Sequence, residues 1–185
     1  MTPHSTRSGR YAPSQKVLHW AVAALVFALV PIALAMANLP DGALKNALYE
    51  WHKSFGLTVL GLALARLLVR AARGAPPLVA GLPAWQRRAA QASHLVLYLL
   101  IVLVPLLGWA GTSACCAPVM LYFTLPLTLP ISGGMPVGEA ILKVHQVAAF
   151  TLVALVALHV AAALHHHLVR RDGTLRRMWS GGGEG

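Results

Sequence analysis

The sequence predicts an all-α fold, a single-domain bundle of four transmembrane helices over residues 1–185. Three observations lead there. Hydrophobic residues make up 57% of the chain and charged residues only 11%, against roughly 25% charged in soluble domains. Mean hydropathy is +0.65. Four apolar stretches, 17–37, 51–70, 89–111 and 143–165, each approach the ~20 residues that a bilayer crossing requires.

The first stretch follows a dozen polar residues and contains Pro31. The third contains Pro105. Neither proline excludes a helix, because neighbouring helices in a membrane satisfy the freed backbone groups. Arg7, Arg10 and Lys16, an apolar run and Ala35-Met36-Ala37 outline a cleavable leader. The run exceeds a signal core and cleavage would remove His19, so helix one is expected to be retained. Pro40-Asp41-Gly42 marks a turn between helices one and two, and Ala75-Pro76-Pro77 with Gly81-Leu82-Pro83 the loop between two and three. The loop at 112–138 is too apolar to face water and is expected to lie along the membrane surface, covering one end of the bundle. The tail at 181–185 is a flexible glycine-rich run.

Charge orients the bundle. Arg7, Arg10, Lys16, Arg66, Arg70, Arg73, Arg87, Arg88, Arg170, Arg171, Arg176 and Arg177 share one side, twelve of the fifteen basic residues. The positive-inside rule makes that side cytoplasmic, with both termini. The net charge of +10 then reflects topology and anionic lipid, and no nucleic-acid partner is expected.

Nine histidines in so apolar a chain need a reason, since ionisable groups in a bilayer are costly and usually functional. His145 and His159 lie fourteen residues apart, just under four helical turns, so they share a face about 21 Å apart along the axis. Topology gives each histidine a depth. His52 opens helix two from the outer side and is level with His145. His19 opens helix one from the inner side and is level with His159. Two level pairs suit two haems, one above the other, each iron gripped by two imidazoles. Small residues one turn from each histidine leave room for a flat macrocycle: Ala23, Gly56, Ala148, Ala149, Ala162 and Ala163. Two axial imidazoles leave no open position, which suits electron transfer rather than oxygen binding.

Metal transport is disfavoured, because no acidic residue falls inside an expected span. His94, expected to start helix three, and His165, His166 and His167, ending helix four at the same level, are candidates to bind or protonate a quinone. His4 is read as a tail residue. Arg10, Lys16 and Arg66 are candidate partners for haem propionates at the inner end, Lys53 and Lys143 at the outer end. Cys115 and Cys116 are adjacent and expected to stay unpaired, because ordinary disulfides want Cα atoms more than about 4.4 Å apart.

The runs YAPSQKVLHW at 11–20, WHKSFG at 51–56, LHVAAALHH at 158–166 and RRDGTLRRM at 170–178 resemble the bacterial cytochrome b-561 family, and the likeness extends over about 11–178. It implies a four-helix dihaem cytochrome b of the bacterial inner membrane that exchanges electrons with the quinone pool, with His19, His52, His145 and His159 as ligands of two haem b groups. Some members are similar to superoxide oxidases, which pass an electron from periplasmic superoxide to ubiquinone. That likeness implies a quinone site at His166 and His94. One departure stands out. The family pattern has a basic residue in the outer loop after helix three, where this chain reads SACCAP at 113–118. Lys45, Lys53 and Lys143 are also balanced by Asp41, Glu50 and Glu139 on that face, a poor attractor for an anion. Two readings follow: a superoxide:ubiquinone oxidoreductase, or a membrane conduit for a separate periplasmic redox protein. Oligomeric state is left open, because leucine and alanine surfaces suit lipid and partner helices equally.

Overall fold

A computed structural model describes Arg10–Trp179 apart from residues 80 and 117. His4, Arg7 and the 181–185 tail lie outside the described residues. Among the described residues four helices are long and apolar enough to cross a membrane: α1 (Pro13–Asn38), α2 (Ala43–Arg73), α3 (Ala84–Cys115) and α4 (Gly134–Leu168). Each exceeds its expected stretch at both ends. Hydropathy marks only the part that meets hydrocarbon, roughly 30 Å thick. With 26 to 35 residues apiece, the helices measure about 39 to 52 Å and continue into the headgroup region on polar residues. Pro31 and Pro105 sit inside helices, as a membrane setting allows.

α1 packs chiefly on α2 and α3 chiefly on α4, with α2 and α3 joining the halves. α4 makes no packing of comparable extent with α1 or α2 among the described residues. Leu64, Leu68, Leu95, Leu99 and Phe150 are exposed, forming the apolar outer surface that lipid covers.

The α3–α4 seam depends on glycine. A Cβ on Gly138 would lie 2.2 Å from Cys115 Cβ and 2.9 Å from the Gly111 carbonyl, and one on Gly111 would lie 2.8 Å from Leu142 Cγ. Neither helix can yield without parting the seam. Gly138→Ala is expected to cost about 1–3 kcal/mol as an overpacked contact. Gly61→Ala, with nothing within 4 Å of its Cβ, should gain about 0.5–1 kcal/mol from helix propensity. Thermal unfolding in detergent compares the two, and equal melting points would contradict the seam.

The 112–138 segment departs from expectation. α3 runs to Cys115, and β1 (Val119–Leu121) pairs antiparallel with β2 (Leu125–Leu127), Leu121 opposite Leu125. The three-residue loop, 122–124, places Tyr122 (φ 49°) and Phe123 (φ 64°) in the left-handed region, which glycine or asparagine usually occupies in hairpin turns. Ser54, fully buried, compensates: its hydroxyl accepts the Tyr122 N–H at 2.8 Å. Tyr122 also bonds the Thr58 hydroxyl at 2.6 Å, and Trp109 donates to the Leu127 carbonyl. The hairpin thus covers one end of α2 and α3, as an apolar loop was expected to do.

Cys115 and Cys116 are bonded to each other, which corrects the expectation of an unpaired couple. Their Cα atoms are 3.7 Å apart, the spacing of any neighbours. Geometry outside the ordinary range has been accommodated where α3 ends.

The opposite end is tied by polar contacts. Gln15, buried at the start of α1, accepts the Ala12 N–H and donates to the Gly74 carbonyl at 2.8 Å. Trp20 donates to the Met178 carbonyl, Lys16 to that of Trp179, and Arg177 to that of Pro77. The chain after α4 therefore docks on α1 and on the loop after α2. The three basic connections share this end.

Candidate functional site

At the hairpin end, His52 on α2 faces His145 on α4, with ring centroids 6.2 Å apart. Val104 and Gly108, one turn apart on α3, seat the second ring. His145 Nδ1 lies 2.8 Å from the Val104 carbonyl, which can only accept, so Nδ1 carries the proton and donates. Nε2 of the neutral ring then keeps its lone pair, the usual preparation of a metal-bound imidazole. Gly108 makes this approach possible, because a Cβ there would lie 3.1 Å from the ring.

Toward the basic end, His19 on α1 faces His159 on α4 at 6.5 Å. His94 on α3 lies 5.7 Å from His159, so three imidazoles share this level. This corrects the placement of His94 at a helix start level with His165, His166 and His167. α3 begins ten residues earlier, at Ala84, and His94 lies level with His159, about two turns or ~10 Å from His166. The structure therefore brings the four expected ligands into their two couples, and separates the two expected quinone residues.

Two imidazoles bound from opposite sides at the ~2.0–2.1 Å typical of metal–imidazole bonds set their ring centroids roughly 6.4 Å apart. Both couples lie close to that value. Both also bridge α4 to a helix on which it does not pack closely, so a planar group has room between them. A Cβ on Gly56, one turn from His52, would meet nothing within 4 Å. Nδ1 of His19 and of His52 is buried without a partner. Among the described residues, no group of three or more histidine, cysteine or acidic side chains is arranged to hold a single metal ion. The donor set fits a bis-imidazole macrocycle better than a bare cation.

Charged neighbours divide. Arg66 and Arg70 lie over the Tyr98 ring at 5.3 and 5.4 Å, and Tyr98 is one turn along α3 from His94. Lys16 is engaged by the Trp179 carbonyl, Lys53 pairs with Glu50 and Lys45 with Asp41. Among the described residues Lys143 bonds only Gln146.

Beyond α4, His166 Nδ1 donates to Asp172 at 2.6 Å, with Arg170 3.6 Å from the same carboxylate oxygen. Burial pushes the Asp172 pKa up, but hydrogen bonds from Thr174, whose backbone N–H lies 2.9 Å away, and from His166 outweigh it and hold it at about 2. Asp172 is six residues after His166, and no periodicity reveals the pair. It forms because the chain turns back after α4, with the Asp172 N–H bonding the His166 carbonyl.

The family model for prokaryotic cytochrome b561 matches residues 10–181. The chain belongs to the prokaryotic cytochrome b561 family. Its relatives include cytochrome b561 homolog 1 of Escherichia coli (strain K12), 31% identical over 173 residues that cover 91% of this chain and 96% of the relative. The probable superoxide oxidase CybB of Yersinia pestis is 29% identical over 91% of this chain and 95% of its own length. Cytochrome b562 of Cereibacter sphaeroides is 30% identical over 94% and 97%. Membership makes the chain a multi-pass membrane electron-transfer protein of b-type haem.

Proposed function

We propose that the chain carries two haems, one held by His52 and His145 and the other by His19 and His159, and moves electrons from superoxide to ubiquinone. The observation that carries this reading is the meeting of four histidines in two couples, at two depths, across the gap between α4 and its neighbours. Haem supplies one-electron chemistry at iron, and two imidazole ligands keep that iron closed to substrate. The protein's task is then to hold the groups at fixed depths and keep water from them. Both termini and the basic loop lie on the cytoplasmic side in this reading, so the hairpin end is periplasmic and receives the electron. Arg66 and Arg70 are placed to neutralise carboxylates at the inner couple, and Lys143 at the outer one. The Yersinia relative's name supports superoxide as the donor.

His166 is the proton-handling residue at the quinone end, with Asp172 fixing its tautomer, while His94 borders the inner couple. Asp172→Asn should remove a charge-assisted hydrogen bond worth about 1.5–3 kcal/mol. It should slow quinone reduction about tenfold while leaving electron entry unchanged, as two-step stopped-flow would show. The pH dependence has a definite sign. The Asp172 pKa is depressed, so its contribution is complete above the ordinary 3.8 and is lost as pH falls toward about 2. Quinone reduction should show no break from Asp172 at neutral pH.

A second reading has its own support. Lys45 and Lys53 are already paired with acids, and the hairpin tip exposes Tyr122, Phe123 and Leu125. Such a face suits a docked periplasmic redox protein better than a small anion. Rapid mixing with superoxide separates the readings. Reduction of haem within the mixing time supports direct entry, and none, with normal reduction by dithionite, favours the docked donor.

A further inference from the structure

The bond between Cys115 and Cys116 has no part in the electron path described above. It is also a poor staple. Loop-closure stabilisation grows with the number of residues enclosed, and neighbours enclose none. Nor does it join two elements, since both sulfurs belong to the end of α3. What the pair retains is chemistry.

The two sulfurs differ in surroundings. Cys115 is half-buried, wedged where a Cβ on Gly138 would strike both its Cβ and, at 2.6 Å, its Sγ. Cys116 is exposed at the helix end. An incoming thiolate therefore meets Cys116 first, and Cys115 becomes the leaving sulfur. The location matters as much. Cys115 is seven residues past Gly108 on α3, and Gly138 seven residues before His145 on α4, so the pair sits two turns, ~10 Å, beyond the outer couple along both helices. Gly108 and Val104, which seat His145, belong to the same helix that Cys115 wedges against α4.

We propose that Cys115–Cys116 is a thiol–disulfide exchange site on the periplasmic face, open to a dithiol reductant. One donor thiolate attacks Cys116 Sγ, the S–S bond breaks and the electron pair leaves on Cys115 Sγ, which takes a proton. The donor's second thiolate then attacks the mixed disulfide, forming the donor's own disulfide and releasing Cys116 as a thiol. The donor loses two electrons and the pair gains two electrons and two protons. The compartment rests on the orientation given under Proposed function, and the exchange itself does not.

The test uses the full-length haem-loaded protein. It is equilibrated with a glutathione redox buffer that leaves ordinary structural disulfides closed, then trapped with N-ethylmaleimide and weighed intact. Two maleimides per chain without denaturant are expected. A pair that opens only on unfolding, or that is isolated as two free thiols and does not close under oxidised glutathione, overturns the proposal. In the single variants the thiol of Cys115→Ser should label about tenfold faster than that of Cys116→Ser, following exposure; equal or reversed rates overturn the assigned order of attack. A membrane-impermeant maleimide, applied after reduction to right-side-out and inverted vesicles, addresses the compartment. Labelling confined to inverted vesicles overturns the periplasmic placement and with it the orientation. Haem content of the same sample reports separately on the electron-carrier reading.

Discussion

Replacing His145 by alanine is expected to remove the outer haem and leave the inner one, halving bound haem to about one group per chain. His145 is the ring that α4 brings to that couple, and among the described residues the helix is anchored by its packing on α3. The loss should therefore be local. Haem extracted per mole of chain measures it, and circular dichroism shows whether the four helices persist. Electron entry from the hairpin side should fall by orders of magnitude, because the first station is gone. Retention of both haems would show that His145 is a packing residue. Gly108→Val acts on the same ring from behind, since even a Cβ reaches within 3.1 Å of it, and it should reproduce much of the loss without touching a ligand.

The second large effect concerns the inner level, where three imidazoles compete. His159 is 6.5 Å from His19 and 5.7 Å from His94, so distance alone does not choose its partner. In the proposed reading the gap does: α3 packs tightly on α4, whereas among the described residues α1 does not, so His19 and not His94 is expected to be the partner across a macrocycle. His159→Ala and His19→Ala are each expected to abolish the inner haem, with His94→Ala keeping it and shifting only its midpoint potential or its rate of oxidation by quinone. Loss of the inner haem in His94→Ala, with retention in His19→Ala, would reassign the ligand.

Much of this is legible in the sequence. The helices follow from unbroken apolar runs, and the levels of His52, His145, His19 and His159 follow from topology and a constant rise per residue. Helix ends were underestimated because Lys45, Glu50, Arg87 and Arg88 lower hydropathy without breaking helix. His94 was misplaced for the same reason: its depth depends on where α3 begins. The hairpin left no signal, since its turn is Tyr122-Phe123 rather than glycine or asparagine, and what permits it is Ser54, more than sixty residues away. The bonded cysteines contradict a rule based on common geometry, which adjacent residues cannot satisfy and here circumvent. The Val104 carbonyl behind His145 was invisible because a backbone acceptor leaves no trace in composition.

The most direct measurement of the central claim is the haem-to-protein ratio of the purified chain, taken together with its reduced-minus-oxidised spectrum. Two haems per chain, both low-spin with b-type bands, are the expected result. One haem or none in a folded, fully loaded sample would contradict the paired-histidine account.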